Sequence, residues 1–117
     1  MDDNRMILRL HLQVPNASAA AGVLDAIAPE LASCGQIICS SAEKYWEIDG
    51  YFAVFLELEP ADRVLEAFHQ VMDALGTGWD KHHFNDGGDW AVWNPGPCSH
   101  FLFSEVRWAN LECIRPN

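Results

Sequence analysis

The chain has 117 residues, of which 50% are hydrophobic, and its 17 acidic side chains against 7 basic ones give a formal net charge of −10. These values predict one folded domain spanning residues 1–117 and exclude a disordered acidic tail. Such a charge repels nucleic acid and anionic membranes, so we expect neither as a partner and expect attraction to basic proteins. Between Glu43 and Asp89 there are 11 acids and 3 bases, which places −8 of the net charge in the middle of the chain.

The first two elements are predicted to be a strand and a helix. Met6–Val14 alternates apolar and polar side chains, the pattern of a half-buried strand. Asn16 is suited to cap a following helix whose apolar residues recur every three or four positions. Pro29 is expected to kink or divide this helix because it lacks a backbone N–H, and Gly35 is expected to end it.

The middle of the chain predicts two strands joined by a tight turn. Gln36–Ile48 has an irregular strand pattern, whereas Tyr51–Glu59 alternates clearly. Asp49 and Gly50 between them are the strongest turn signal in the sequence and favour a two-residue hairpin.

A second amphipathic helix and several strands complete the prediction. Pro60 suits the first position of this helix and Gly76 suits its end. Trp79–Phe84 is predicted as the fourth strand, Asp89–Asn94 as a short strand and Phe101–Cys113 as one or two strands. The order β-α-β-β-α-β predicts an α+β, ferredoxin-like fold, with two helices on one face of an antiparallel sheet and a β-rich C-terminal extension.

The histidines and cysteines give weak signals for a metal site or an enzyme. His82 and His83 are adjacent, so on a strand they face opposite sides and one metal ion cannot easily bind both. Cys98 and His100, or Cys98 and His83, are candidates for a nucleophile and its base, but nothing in the sequence fixes that geometry. The four cysteines match no zinc spacing, so we expect reduced thiols, no metal and no catalytic residue.

The glycine-rich segment Asn85-Asp86-Gly87-Gly88 is predicted to be a plain turn. Together with Asp89 it superficially resembles a calcium loop, but it lacks the alternating acids and the distal glutamate of an EF-hand. It is not a phosphate-binding loop either, because no helix with a Lys-Ser/Thr pair follows it. We therefore expect no cofactor.

The tryptophans raise the prospect of a binding surface. Trp90 and Trp93 are three positions apart, so on a regular strand one can be buried while the other is exposed. An exposed indole beside Asp80, Asp86 or Asp89 has the composition of a binding hot spot rimmed by charge. The alternative is that the indoles belong to the core and the acids form an ordinary solvated surface.

Three segments in roughly the last third of the chain, Gly78-Trp79, Trp90–Asn94 and Val106–Glu112, resemble the C-terminal part of small immunity proteins of bacterial polymorphic-toxin and contact-dependent growth inhibition systems. The chain's size, acidity and α+β order also fit such proteins. The resemblance implies a non-enzymatic inhibitor that binds one cognate toxin domain in the cytoplasm of the producing bacterium. Many such toxins are basic nucleases, and an acidic inhibitor speeds association with them by electrostatic steering.

The leading hypothesis is therefore an immunity protein, a monomer or weak homodimer, that neutralises a cognate toxin domain. Its partner-binding surface is predicted where acids adjoin aromatic residues, namely at Trp46, Glu47, Asp49, Asp80, Asp86, Asp89, Trp90 and Trp93. The alternative is a small-molecule-binding regulatory module of ferredoxin-like fold, in which Tyr45, Trp46 and Tyr51 line a pocket. The N-terminus lacks an apolar signal core and no apolar run reaches about 18 residues, which favours a cytoplasmic location.

Overall fold

The computed structural model describes residues 5–61, 63–83 and 88–114. Its main sheet has six antiparallel strands in the order β2-β3-β1-β8-β6-β5, and β4 pairs with β7 in a second, two-stranded sheet. The protein is thus α+β, as the sequence predicts. The elements in chain order are β1 (Arg5–Gln13), α1 (Ala17–Leu31), β2 (Gly35–Lys44), β3 (Tyr51–Pro60), α2 (Val64–Leu75), β4 (Gly76–Thr77), β5 (Asp80–His83), β6 (Asp89–Trp93), β7 (His100–Phe101) and β8 (Val106–Ile114).

The core lies on one face of the main sheet, where alternate residues of the strands meet the apolar stripes of both helices. On β1 these residues are Met6, Leu8, Leu10 and Leu12, all with 0% exposure, and they form one cluster with the buried residues of α1 and α2. Burying one such leucine contributes roughly 2 kcal/mol, so this face accounts for much of the fold's stability. The other face, here called the open face, carries the intervening, partly exposed residues of each strand.

The first helix begins as predicted but ends differently. The Asn16 side chain accepts a hydrogen bond from the Ala19 backbone N–H at 2.9 Å, which confirms the predicted cap. Pro29 does not divide the helix, because it lies in the last turn, where little of the hydrogen-bond ladder remains to be broken. Gly35 is not the helix end but the first residue of β2, where a Cβ would lie 2.3 Å from the Glu59 carbonyl oxygen.

The predicted two-residue hairpin is wrong. β2 ends at Lys44 and β3 begins at Tyr51, so residues 45–50 form a six-residue loop. The Tyr45 backbone N–H donates to the Tyr51 carbonyl at 2.9 Å and the Tyr51 N–H donates to the Ile48 carbonyl at 3.3 Å. Gly50 has a φ of 80°, which a glycine adopts without steric cost, so the turn signal marks the end of the loop instead of its centre.

The second half of the chain departs from the predicted order. Pro60 is the last residue of β3, and α2 begins at Val64. The strand after α2 that was predicted at Trp79–Phe84 is β5, Asp80–His83, and it lies at the edge of the sheet. β8 takes the position beside β1. The additional strands therefore precede the strand that pairs with β1, whereas the sequence predicts a C-terminal extension.

Candidate functional site

The loop of residues 45–50, here called the Trp46 loop, presents a large indole to solvent. Trp46 is 83% exposed, the highest value among the exposed large hydrophobic side chains of the described residues. Glu47 and Asp49 beside it are exposed, and Ile48 is 40% exposed. An apolar ring of this size exposed among acids is the composition of a protein-binding hot spot.

The Trp46 loop packs on rings from three strands, and these rings together with the loop's own first residue, Tyr45, are here called the His11 cluster, made up of His11, Tyr45, Tyr51 and Trp108. His11 stacks on Trp108 with ring centroids 4.3 Å apart, and the edge of Tyr45 meets His11 at 4.8 Å. Tyr51 packs against Trp108 at 5.6 Å. The strand register explains the grouping, because His11 is directly paired with Trp108 on the open face. The cluster holds both ends of the loop.

Two rings of the His11 cluster, Tyr45 and His11, have shifted pKa values. The Tyr45 hydroxyl donates a hydrogen bond to the Glu47 carboxylate at 2.6 Å, and this bond is the main reason that the pKa of Tyr45 is raised. Burial lowers the pKa of His11, with a smaller contribution from Arg9 that Glu47 opposes. His11 Nδ1 is buried without a hydrogen-bond partner among the described residues. The imidazole is therefore held in its neutral form by its surroundings.

Some acidic side chains of the sheet form ion pairs, whereas the structure describes none for those of the Trp46 loop. On the open face Glu57 pairs with Arg5 at 3.5 Å and Glu112 pairs with Arg9 at 3.4 Å, so each of these carboxylates has a cation beside it. Neither Glu47 nor Asp49 forms an ion pair with any residue that the structure describes. The carboxylates of Glu47 and Asp49 thus remain available to the cations of a partner, and the exposed base Lys44 lies just before them in the chain.

The second predicted contact segment, from Asp80 to Trp93, is only partly on the surface. Asp80 is exposed, and Trp90 is half-buried and stacks on His82 at 4.1 Å. Trp93 is 4% exposed, and its Nε1–H donates to the Thr77 carbonyl at 2.9 Å. Asp89 is 2% exposed and is bonded to His83.

Two residues of the predicted surface must therefore be corrected. Asp89 and Trp93 lie on the core side of β6 and are not available to a partner, while Trp90, as the spacing predicts, lies on the opposite side. Asp86 lies outside the described residues. The prediction failed for Asp89 because its acidity favours the surface, whereas a bond to His83 allows the carboxylate to be buried.

The structure does not bring the two predicted segments together. The Trp46 loop joins β2 and β3 at one edge of the sheet, and Asp80 lies on β5 at the other edge. Five strand spacings separate these edges, a distance of roughly 24 Å. The Trp46 loop is instead joined to the His11 cluster, which sequence reasoning missed, although the alternation of β1 does place His11 on the polar side.

The histidines and cysteines do not converge. His82 stacks on Trp90 while its neighbour His83 bonds to Asp89, so the two imidazoles turn to different partners. Burial raises the pKa of the Cys34 thiol, which keeps it protonated. No group of three or more histidine, cysteine or acidic side chains in residues 5–61, 63–83 and 88–113 could hold a metal ion. The absence of a metal and of catalysis stays a prediction.

Comparison with known proteins gives no information about function, so the interpretation rests on the geometry of the site. No family model matches the chain, and no curated protein or solved structure matches it significantly. Within the described segments no helix is long and apolar enough to cross a membrane, since α1, the longer of the two, has 15 residues.

Proposed function

We propose that this protein is an immunity protein that binds and neutralises a cognate, basic toxin domain in the cytoplasm of the producing bacterium. The observation that carries the proposal is the Trp46 indole, 83% exposed between Glu47 and Asp49 on a loop that the His11 cluster holds in place. The protein acts by covering its partner and performs no chemistry of its own.

The two parts of the Trp46 loop have different tasks in binding. Transfer of the Trp46 indole into a pocket of the partner supplies most of the attraction, as buried aromatic anchors do in other interfaces. The carboxylates of Glu47 and Asp49 attract lysine and arginine side chains over about 8 Å at physiological salt, which speeds association more than it tightens the complex. The pair of features selects a partner that is basic and has an apolar pocket.

The support beneath the loop favours a rigid contact. Tyr45 and Tyr51 flank the loop and both pack on Trp108, and the backbone N–H of Val14 donates to the Gly50 carbonyl at 3.2 Å. A loop that is already ordered loses less conformational entropy when it binds, so more of the contact energy appears as affinity.

The same geometry argues against the regulatory alternative. That alternative requires Tyr45, Trp46 and Tyr51 to line a common pocket, but Tyr45 and Tyr51 join the His11 cluster while Trp46 stands outside it. We also infer a ferredoxin-like unit made of β1, α1, β2, β3, α2 and β8, with β4–β7 as an insertion before its last strand. The adjacency β2-β3-β1-β8 supports this assignment.

The test uses the protein domain encoded immediately upstream of this reading frame. Expression of that domain alone is expected to arrest growth, and co-expression of this protein is expected to restore it. The purified proteins should form a complex at micromolar concentration in low salt. If the domain is not toxic or no complex forms under those conditions, the proposal is wrong.

Two variants locate the contact. Trp46→Ala is expected to weaken the complex at least about a hundredfold, in the range of a hot-spot truncation. Glu47→Lys with Asp49→Lys is expected to slow association and to reduce its dependence on salt. Asp80→Lys, which reverses one acid at the far edge of the sheet, is the matched control for Asp49→Lys alone and should have a much smaller effect.

A further inference from the structure

The strand that leads into the Trp46 loop is an open edge of the sheet. β2 has 10 residues, Gly35–Lys44, and within the described part of the chain it pairs with one strand only, β3. Ile38, Cys39 and Ser40 in its middle are exposed, and the Ile38 side chain is 45% exposed. A long edge of this kind presents unpaired backbone groups to any extended chain that approaches it.

The register shows which backbone groups of β2 point outward. The Tyr45 N–H donates to Tyr51 and the antiparallel ladder repeats every second residue, so Ser41 and Glu43 bond to β3. Ser40 and Ala42, which alternate with them, direct their N–H and C=O groups away from the sheet. These two residues can each form a pair of hydrogen bonds with an added strand.

The opposite edge of the sheet is protected in a way that β2 is not. β5 has only 4 residues, Asp80–His83, and carries Lys81 in its interior. Short edge strands and edge lysines are the usual devices against unwanted strand pairing. In β2 the single base, Lys44, is the last residue, and positions 35–42 carry no charge.

The charges around β2 define the added strand. Glu43, Glu47 and Asp49 lie at the loop end, and the exposed Glu59 is paired with Gln36 at the other end. Glu59 also lines an open cavity of about 640 Å³ together with Gly35 and Ala28 of α1, which has room for a long side chain. A second copy of this chain would bring another net charge of −10 to the edge, whereas a lysine- or arginine-rich segment is attracted to it.

We infer that the toxin domain binds by adding an extended, basic segment as a seventh strand along β2, while the Trp46 indole enters a pocket of the same domain. This inference rests on the proposed function and deepens it, because it names the part of the partner that is recognised. Backbone hydrogen bonds along Ser40 and Ala42 then supply affinity, and Trp46 and the flanking acids supply the choice of partner.

The test removes an outward N–H without disturbing the bonds to β3. Ser40→Pro eliminates one donor and blocks close approach of a strand, and an edge position whose N–H faces solvent tolerates proline. It is expected to weaken the complex with the upstream-encoded domain about tenfold or more. Ser40→Val retains the N–H and should weaken the complex much less than Ser40→Pro does, and Lys81→Pro, which makes the proline change at the other edge, should bind as the wild type does.

Hydrogen exchange on the wild-type protein gives a second readout that does not depend on how a proline variant folds. The amides of Ser40 and Ala42 should exchange quickly in the free protein and become protected in the complex. Wild-type binding with unchanged exchange at both amides would overturn the inference and leave the proposed function intact. Failure of the wild type to bind would overturn both, and protection that appears without the partner as protein concentration rises would assign the edge to a second copy instead.

Discussion

The imidazole of His11 lies almost parallel to the indole of Trp108, with centroids 4.3 Å apart and ring planes 14° from parallel. His11 Nδ1 is buried and has no hydrogen-bond partner in the part of the chain that the structure describes. A charged imidazole at this position would lose hydration, and Glu47 offsets only part of that loss. The surroundings of the His11 ring, which supports the Trp46 loop, therefore favour the neutral imidazole.

The first prediction is that protonation of His11 lowers the free energy of unfolding in mild acid. The pKa of His11 is lowered from 6.5, chiefly by burial, so the unfolded chain takes up its proton at a higher pH than the folded chain does. The contribution of neutral His11 is complete above 6.5 and declines as the pH falls toward the lower, folded value.

Urea unfolding at about pH 7.5 and about pH 5.5 measures this decline. His11→Phe keeps a ring against Trp108 and cannot be protonated, so its free energy of unfolding should fall less between the two pH values than that of the wild type. His100→Phe, a change at an exposed histidine, is the control. Equal declines in His11→Phe and the wild type would contradict the prediction.

The second prediction separates the two kinds of tryptophan. Trp93→Ala should lower the free energy of unfolding by about 3–5 kcal/mol, because it removes a buried ring and leaves a cavity. Trp46→Ala should change it by less than about 0.5 kcal/mol, because the indole is exposed. Chemical denaturation of both variants measures the difference. A large destabilisation by Trp46→Ala would mean that this ring serves the fold and would remove the basis for placing it in a binding site.

The third prediction compares two aspartates on neighbouring strands. Asp89 is buried on β6 and bonded to His83, so Asp89→Ala should cost about 1–3 kcal/mol of stability. Asp80 is exposed on β5, and Asp80→Ala should change stability by less than about 0.5 kcal/mol. Thermal or urea unfolding at neutral pH measures both. If the two substitutions lower the free energy of unfolding by the same amount, the buried carboxylate of Asp89 does not stabilise the fold.

The elements that sequence reasoning predicted well are those with a complete local signal. β1 alternates over its whole length, and Asn16 supplies its own helix-capping acceptor, so both follow from neighbouring residues. Strand order does not have a local signal. The position beside β1 goes to β8, nearly 100 residues away in the chain, because apolar residues such as Leu111 complete the core there.

The sequence predicts the candidate site only in part, again because contacts between distant residues have no local signal. Trp46, Glu47 and Asp49 are neighbours in the sequence, so their acidic and aromatic character was visible directly. The His11 cluster joins residues from β1, the Trp46 loop, β3 and β8, and only the strand register shows that they meet. Burial of Asp89 depended likewise on a partner, His83, whose direction on a short strand no pattern reveals.

The last prediction concerns the bond that links the Trp46 loop to its own acid. The Tyr45 hydroxyl donates to Glu47, which raises the pKa of Tyr45 above its ordinary value of 10.0, chiefly because ionisation would remove the proton of this hydrogen bond. The unfolded chain loses this proton first as the pH rises, so the contribution of the bond to stability is complete below 10.0 and declines above it.

Ultraviolet titration measures the ionisation directly, since the chain has only 2 tyrosines and Tyr45→Phe leaves the curve of Tyr51 alone. In Glu47→Gln a neutral amide oxygen replaces the carboxylate and accepts a weaker hydrogen bond, so the Tyr45 curve should shift to lower pH; in Asp49→Gln, which changes a neighbouring acid, it should stay in place. An unshifted curve in Glu47→Gln would show that the two side chains do not meet in solution. The acid beside Trp46 would then be free to turn toward a partner independently of the loop, and the argument for a preorganised contact would fail.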